Sequence, residues 1–303
     1  MAETTPDWIA ADWGTSHLRL WLMSDTGRVL DRRSSDQGMG RLTRDGYAPV
    51  LNAALADVLP ASGRLPVICC GMAGSRQGWA EAPYAAVPCA PPGAPQATRI
   101  TCDHFDVHIL PGIKQTAPAD VMRGEETQIA GLLAATPGFD GIACLPGTHT
   151  KWAHLSAGEV VSFRTFMTGE MFALLSDQSV LRHSVQGPGW DDAAFDEAVS
   201  DAISTPANVA ARLFGLRAAA LLEGLSADTA RARLSGLLIG MELAASRPYW
   251  LGQPVRIVGE DGIGAAYLRA LQAQGAEVAT TPAQDITLKG LTAAYAQLKD
   301  TTA

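Results

Sequence analysis

The sequence is poor in basic residues. It carries 23 lysines and arginines against 31 aspartates and glutamates, a formal net charge of −8. A protein that binds nucleic acid needs a positively charged face for the phosphates. The composition therefore argues against a nucleic-acid partner.

Long apolar runs are also lacking, and so is a cysteine framework. The longest apolar run, around 236–245, is interrupted and too short to span a bilayer, and the acidic N-terminus lacks the hydrophobic core of a signal peptide. Five cysteines, with Cys69 and Cys70 adjacent, match no metal-binding spacing. These absences predict a soluble cytoplasmic protein with reduced thiols and no membrane partner. A homodimer is compatible with the sequence, which does not determine the oligomeric state.

Two common nucleotide-binding motifs are missing. The sequence contains neither the dinucleotide fingerprint G-x-G-x-x-G nor the P-loop G-x-x-x-x-G-K-[ST]. The chain nevertheless has 303 residues, of which 47% are hydrophobic. That length and composition favour a globular protein of two domains.

A supersecondary pattern occurs twice. Strand, polar turn, strand, glycine turn and strand follow one another at 8–36 and again at 141–166, and αβ units come after each series. Helical spacing then predicts helices near 189–202, 206–223 and 228–245. Repetition this far apart indicates two similar α/β domains with a cleft between them.

The first turn of each repeat carries a Gly-Thr pair. Glycine lets backbone N–H groups approach an anion closely, and threonine adds a hydroxyl donor. We expect the two turns to bind a polyphosphate, and Asp12 at the end of the first strand to hold Mg²⁺ through water. The alternative is that each is a plain hairpin turn. The candidate phosphate contacts are Gly14, Thr15, Ser16, Gly147 and Thr148.

Two glycine-containing segments are candidates for the nucleoside. In V-G-E-D-G-I-G (258–264), Gly259 and Gly262 lie between a predicted strand and helix and could form a backbone platform for adenine, or a plain βα turn. Gly236 and Gly240 lie four residues apart on a predicted helix. Close helix packing and the lining of a nucleoside pocket both remain open for them.

Three polar segments supply candidates for chemistry and for substrate binding. Asp120 is placed immediately before a helix, either as its N-cap or as a general base. The loop that follows the strand at 65–71 holds an arginine that could clamp a carboxylate. Thr168 is interpreted as a helix N-cap or as a substrate contact. The substrate-binding candidates are Gly74, Ser75, Arg76, Gln77, Arg123 and Thr168.

Five segments together resemble a known family. A-D-W-G-T-S-H-L-R-L-W-L, C-G-M-A-G-S-R-Q-G-W-A-E-A-P-Y, P-A-D-V-M-R-G-E-E-T-Q-I-A-G-L-L, L-P-G-T-H-T-K-W-A-H-L and F-R-T-F-M-T-G-E-M-F-A-L-L resemble, in order and spacing, the 2-dehydro-3-deoxygalactonokinases of the sugar kinase/hsc70/actin superfamily. The resemblance implies an α/β fold of two ribonuclease H-like domains of the actin-like ATPase type with an interdomain cleft. The expected domains are 1–138, for the sugar acid and the first phosphate loop, and 139–283, for the nucleotide. A final helix at 284–303 should pack back on the first domain.

The resemblance also implies an activity. It is ATP- and Mg²⁺-dependent phosphorylation of the C6 hydroxyl of 2-dehydro-3-deoxy-D-galactonate, in galactonate breakdown. By analogy, the second phosphate loop extends to Lys151, Asp120 is the catalytic base and Glu125 is its rival. Two other functions remain open: an actin-like-fold phosphatase that acts on polyphosphate or nucleotide, and a non-enzymatic ATP-binding member of the superfamily.

Overall fold

The computed structural model describes residues 5–60, 62–259 and 262–302. The chain divides into two compact units. Unit 1 comprises the described residues up to Phe139, the segment Ser156–Ser162 and the segment from Ala283 onward, and unit 2 comprises Asp140–Leu155 and Phe163–Pro282. No helix in the described ranges is long and apolar enough to cross a membrane.

The described part of unit 1 contains a six-stranded sheet with the order β3-β2-β1-β4-β7-β6 and a separate three-stranded sheet with the order β5-β8-β9. The strands are β1 (Trp8–Trp13), β2 (Leu18–Met23), β3 (Val29–Ser35), β4 (Leu65–Gly71), β5 (Tyr84–Ala86), β6 (Thr98–Thr101), β7 (Phe105–Ile109), β8 (Gly112–Thr116) and β9 (Ala119–Met122). The helices are α1 (Tyr47–Ala54), α2 (Glu125–Ala135) and α10 (Ala283–Thr302). β1 pairs antiparallel with β2 and parallel with β4, so the first meander leads into a parallel sheet.

The central strands of the large sheet of unit 1 are buried on both faces, which explains why β1 is almost entirely apolar. Ile9, Ala11 and Trp13 point into one core cluster, while Trp8 and Ala10 point into another on the opposite face. Side chains alternate between the faces of a strand. Asp12 therefore shares its face with Trp8 and Ala10.

Helix α10 covers that second face. The rings of Trp8 and Tyr295 stack with 4.3 Å between their centroids. Lys299 Nζ forms an ion pair with Asp25 Oδ1 at 2.9 Å. Glycines let α10 approach α2 closely, since a Cβ on Gly290 would lie 2.9 Å from the backbone carbonyl carbon of Thr127. The end of the chain thus completes the core around its beginning.

In the described part of the chain, a five-stranded sheet with the order β12-β11-β10-β13-β14 belongs to unit 2, except for the residues of β11 and β12 within Ser156–Ser162. The strands are β10 (Gly141–Leu145), β11 (Thr150–Ser156), β12 (Glu159–Phe166), β13 (Val255–Val258) and β14 (Val278–Thr281). The helices are α3 (Thr168–Asp177), α4 (Arg182–Val185), α5 (Asp192–Ser204), α6 (Val209–Leu222), α7 (Ala227–Ala245), α8 (Arg247–Trp250) and α9 (Ile263–Ala273). The meander β10–β11–β12 followed by parallel β13 and β14 is the second copy of the repeated pattern.

The core of unit 2 lies between this sheet and its helices. Cys144 and Trp152 from the sheet pack against Phe195 of α5, Leu243 of α7 and Tyr267 of α9. Because α5 and α7 pack along each other, one wall of the unit consists of helix against helix. The starts of α3 and α9 and the middle of α7 line the same cavity as the first turn of the second repeat.

Candidate active-site residues in the two units

The first Gly-Thr turn joins β1 to β2 in unit 1. The Gly14 N–H donates to the carbonyl of His17 at 2.9 Å, and the side chains of Thr15 and Ser16 are exposed. A second segment fixes the turn, because the Gly40 N–H donates to the Thr15 carbonyl at 2.8 Å. A Cβ on Gly38 would lie 2.6 Å from the backbone nitrogen of His17, so only glycine allows this approach. The turn is therefore held rigidly with its hydroxyl groups outward.

Asp12 is the second-last residue of β1, the strand that leads into this turn. Its Oδ2 accepts a hydrogen bond from Arg19 at 3.0 Å, and its Oδ1 lies 3.9 Å from the Cys70 thiol. Burial raises the pKa of Asp12 above its ordinary value, and Arg19 opposes that effect. In the described ranges, no cluster of three histidine, cysteine or acidic side chains could enclose a metal ion. One carboxylate fits Mg²⁺ only where water and phosphate oxygens supply the remaining ligands.

The structure corrects the placement of Asp120. The sequence interpretation put it immediately before helix α2, but it lies in strand β9, opposite Gln115 of β8. Its Oδ1 accepts the Val121 N–H at 2.8 Å, and the N-cap of α2 is Gly124, with φ of 108°. Capping by Asp120 is therefore wrong, and its role as a base stays a prediction.

The first turn of α2 carries two acids in different environments. Glu125 Oε2 accepts the Arg123 N–H at 3.0 Å and its side chain is half-buried. Glu126 is fully buried, and its two carboxyl oxygens lie 2.8 and 2.7 Å from the Gly124 nitrogen. Burial raises the pKa of Glu126 to about 8, with the charge of Glu125 as the second cause.

The Cys70 thiol connects Asp12 with the start of α2. Burial raises the pKa of Cys70 well above its ordinary value, and the nearby charges of Asp12 and Glu126 act in the same direction. A Cβ on Gly124 would lie 3.3 Å from the Cα of Gly71, at the end of β4. The structure thus places Asp12 and Glu126 near the same thiol, and Glu125 precedes Glu126 in α2. Glu126 was not predicted as a site residue, and the only signal for it was a second acid in the first helical turn.

The loop that follows β4 holds most of the predicted substrate contacts. Gly74 and Ser75 are buried, and the Ser75 hydroxyl contacts the Met39 sulfur at 3.1 Å. Arg76 is 81% exposed and forms a 3.6 Å ion pair with Glu81. Gln77 is exposed beside it. Arg44 donates to the Arg76 carbonyl at 3.2 Å, which brings a second cation to this loop.

The guanidinium group of Arg123 contacts other groups of the protein. Its Nη2 donates to the Ala82 carbonyl at 2.8 Å, and its guanidinium lies 4.2 Å from the ring centroid of Tyr84. A Cβ on Gly74 would lie 2.8 Å from Nη1 of Arg123. Nη1 itself is buried without a hydrogen-bond partner in the described structure. Arg123 therefore supports the loop that carries Arg76.

The second Gly-Thr turn joins β10 to β11 in unit 2. The Thr148 carbonyl accepts the Glu170 N–H at 2.9 Å, and a Cβ on Gly169 would lie 2.9 Å from the Thr148 Cα. The start of α3 therefore packs directly on the turn. A Cβ on Gly147 would meet nothing closer than the His149 carbonyl at 4.0 Å, so its outer side is open.

A cavity of about 900 Å³ begins at this turn and lies within unit 2. Its wall is largely apolar, with two arginines and several small polar groups. The residues that line it are Gly147, Thr148, Thr168, Gly169, Phe172, Pro188, Gly189, Trp190, Asp192, Phe195, Arg231, Ser235, Leu238, Ile239, Gly262, Ile263, Ala265, Ala266 and Arg269. A volume in this range and a polar turn at one end suit a small organic ligand that carries an anionic group.

The predicted nucleoside glycines divide into two groups. Gly262 lines the cavity, while Gly259 precedes Glu260 and Asp261, which lie outside the described residues. Gly236 and Gly240 face helix α5 instead: a Cβ on Gly240 would lie 2.6 Å from the Val199 carbonyl oxygen. Their assignment to the pocket wall is corrected, because α5 fills the space beside them.

Lys151 and Thr168 are both buried in unit 2. Lys151 lies in β11 opposite Leu145 of β10. Thr168 is the first residue of α3, whose N-cap is Met167, so its prediction as the N-cap is wrong. The Thr168 hydroxyl donates to Glu242 and also borders the cavity. Its side chain belongs to unit 2, whereas the other predicted substrate contacts belong to unit 1.

Comparison with known proteins adds to this picture. A protein of Rhizobium meliloti (strain 1021), named as a probable 2-dehydro-3-deoxygalactonokinase, is 42% identical over 299 residues, 96% of this chain and 97% of that protein. The 2-dehydro-3-deoxygalactonokinase of Escherichia coli (strain K12) is 35% identical over 277 residues, 90% and 92% of the two chains.

Solved structures agree with these matches. A crystal structure from Sinorhizobium meliloti that carries the same enzyme name has a TM-score of 0.90 at 41% identity and covers 96% of this chain and 99% of that one. The activator of the 2-hydroxyisocaproyl-CoA dehydratase from Clostridium difficile, at 11% identity and a TM-score of 0.53, covers 97% and 96% and shares only the fold, which is mixed α/β of the actin-like ATPase type. The family profile described as 2-keto-3-deoxy-galactonokinase matches residues 12–294. The chain belongs to the 2-keto-3-deoxy-galactonokinase family.

Proposed function

We propose that the protein transfers the terminal phosphate of ATP to the C6 hydroxyl of 2-dehydro-3-deoxy-D-galactonate. The observation that carries this proposal is the match to two 2-dehydro-3-deoxygalactonokinases along nearly the whole chain. The 900 Å³ cavity with a Gly-Thr turn at its edge supports it independently. A phosphatase or a non-enzymatic ATP-binding protein is less favoured, because neither corresponds to the activity named in these relatives.

Unit 2 supplies the nucleotide site in this proposal. The open side of Gly147 lets phosphate oxygens approach the backbone, and Thr148 adds a donor. Gly262 and the apolar wall of the cavity would receive the nucleoside. Lys151, in strand β11, stays a predicted phosphate contact. The nucleotide domain at 139–283 and the sugar-acid domain at 1–138, both ribonuclease H-like, stay predictions.

Unit 1 supplies the metal-binding carboxylate and the first phosphate turn. Asp12 would hold Mg²⁺ through water beside Gly14, Thr15 and Ser16. The ion supplies charge neutralisation on the transferring phosphoryl group when it is bound. Arg19 forms an ion pair with Asp12, which offsets part of the desolvation free energy of this carboxylate.

The substrate carboxylate would bind at the loop that follows β4. Arg76 is exposed and would exchange its 3.6 Å ion pair with Glu81 for a bidentate pair with the substrate carboxylate. Arg44 lies beside it and adds positive charge at the same loop. Ser75 and Gln77 complete the predicted contacts, with Arg123 and Gly74 beneath them.

The base that receives the hydroxyl proton is assigned to Asp120 or Glu125. The strand position of Asp120 weakens the analogy for its role as base, while Glu125 begins α2 beside the buried Glu126. We therefore favour Glu125. Replacement of a positioned base lowers kcat by about 10²- to 10⁴-fold with little change in KM. Glu125→Gln should show that loss, and Asp120→Asn should retain most of kcat.

The function is tested with purified protein, ATP and Mg²⁺ against a panel of sugar acids and neutral sugars. ADP release coupled to a phosphorylated 2-dehydro-3-deoxygalactonate, with neutral sugars inactive, is the expected result. The site of phosphorylation is read by ³¹P–¹H correlation. ATP hydrolysis that is independent of every sugar acid, or phosphate release from polyphosphate, would contradict the proposal.

A further inference from the structure

A buried acid in unit 2 accepts a hydrogen bond from Thr168, one of the residues that line the cavity. Glu242 of α7 is 2% exposed. Its Oε1 accepts the indole N–H of Trp152 at 2.6 Å, and its Oε2 accepts the hydroxyl of Tyr267 at 2.6 Å. The Thr168 hydroxyl is a third donor, to Oε2. A buried carboxylate that is this fully hydrogen-bonded is costly to remove and specific in geometry.

The direction of each proton in this cluster follows from the donors. An indole nitrogen only donates, and an ionised carboxylate only accepts. The Tyr267 hydroxyl therefore donates its hydrogen bond to Glu242, and its oxygen accepts one from the Thr150 hydroxyl 3.1 Å away. Glu242 therefore orients three donors directly: Trp152, Thr168 and Tyr267. It orients a fourth, Thr150, through Tyr267.

Two members of the cluster, Thr150 and Thr168, lie next to the second Gly-Thr turn. Thr150 begins β11 immediately after the turn, and Thr168 begins α3, whose next residues pack on Thr148. On α7, Glu242 lies one helical turn from Leu238, which lines the cavity. The two chain segments that flank the turn are thus joined to the cavity wall through the same carboxylate.

We propose that Glu242 is a positioning residue for the phosphate-binding turn: it holds Thr150 and Thr168 in the arrangement that presents Gly147 and Thr148 to phosphate, without touching the nucleotide. This inference rests on the proposed ATP site. Burial raises the pKa of Glu242 above its ordinary value, and the hydrogen bonds from Thr168, Tyr267 and Trp152 oppose that rise.

The test is calorimetric titration of the full chain with ATP, inorganic tripolyphosphate and adenosine. Glu242→Gln keeps the size of the side chain but turns an acceptor into an NH₂ donor that faces donors. Loss of a hydrogen bond to a charged group corresponds to roughly 10- to 100-fold in affinity. We expect Kd to rise by that factor for ATP and tripolyphosphate, and Kd for adenosine to stay within about twofold.

Two further variants keep the test decisive. Ser176→Ala, on α3, removes a buried hydroxyl that has no hydrogen-bond partner in the described structure and should change none of the three constants. Tyr267→Phe removes one donor to Glu242 and releases Thr150. It should weaken ATP and tripolyphosphate selectively, and it decides the question if Glu242→Gln does not fold by circular dichroism.

Unchanged tripolyphosphate binding in a folded Glu242→Gln or Tyr267→Phe protein would overturn the inference. Equal losses for adenosine and tripolyphosphate would also overturn it, because they indicate general support of the unit rather than positioning of the turn. If the wild-type protein binds ATP and the variants bind it equally well, only this inference fails. Absence of ATP binding to the wild type refutes the proposed function, and the inference with it.

Discussion

Replacement of Glu126 by glutamine should change how stability depends on pH. The side chain is fully buried, and burial raises its pKa from 4.5 to about 8. Between these two pH values the folded chain keeps a proton that the unfolded chain has released. The free energy of unfolding therefore decreases as pH rises through this window, and the contribution of Glu126 is complete only below pH 4.5.

The magnitude follows from proton linkage. One group that differs by a full proton between the two states changes the free energy of unfolding by about 1.4 kcal/mol per pH unit. From pH 5 to pH 7 this amounts to roughly 2–3 kcal/mol. Glu126→Gln keeps an oxygen that can accept the Gly124 N–H and removes the titration. Between pH 5 and pH 7 the free energy of unfolding of the variant should therefore rise by roughly 2–3 kcal/mol relative to that of the wild type.

Urea titrations of both proteins at pH 5, 6, 7 and 8, followed by circular dichroism, measure this difference. Glu81→Gln, which removes an exposed acid from the same unit, should keep the wild-type slope because Glu126 is still present. Parallel curves for the wild type and Glu126→Gln across the range would refute the reasoning. They would mean that the carboxyl group is ionised in the folded protein at pH 5.

Four other substitutions test separate parts of the structure. Gly147→Val should raise the Kd for ATP by about tenfold or more with an unchanged melting midpoint, since the added side chain has room in the protein but not beside a phosphate; equal affinity would exclude the turn from the site. Arg76→Leu should raise KM for the sugar acid by roughly 10- to 100-fold at constant ATP affinity, and a constant KM would place the carboxylate elsewhere. Asp12→Asn should fold and lose most Mg²⁺-dependent activity, whereas normal metal titration curves would remove Asp12 from the metal site. Gly290→Val should lower stability by about 1–3 kcal/mol or more through overpacking of α10 on α2, and a wild-type melting midpoint would contradict that packing.

The sequence was most informative where local pattern and burial coincide. The apolar runs of β1 and β4 and the helical spacing of α5, α6 and α7 predict those elements because their side chains meet a core directly. Both Gly-Thr turns could be located because a hairpin needs glycine or polar residues between two apolar runs. The proline-containing hairpin of β8 and β9 carries no comparable signal, so the local pattern predicts a helix start at Asp120, where the structure has a strand.

The remaining errors concern contacts between elements distant in sequence. Whether Gly240 faces a ligand or another helix depends on where α5 packs, which no local pattern contains. Glu126 and Glu242 are acids in helices, and an isolated acid in a helix usually faces solvent. Their burial depends on donors from other segments: the Gly124 N–H for Glu126, and Trp152 and Tyr267 for Glu242.

The position of α10 affects how the protein is made as well as how it is held together. Tyr295 donates to Asp25 across 270 positions of sequence, and its ring covers Trp8. During translation, the face of β1 that carries Trp8 and Ala10 therefore lacks the cover of α10 until that helix has left the ribosome. An exposed apolar sheet face is what chaperones and proteases bind. A chain that lacks α10 would leave that face exposed, and we expect chaperones and proteases to bind it more strongly than a chain that includes α10.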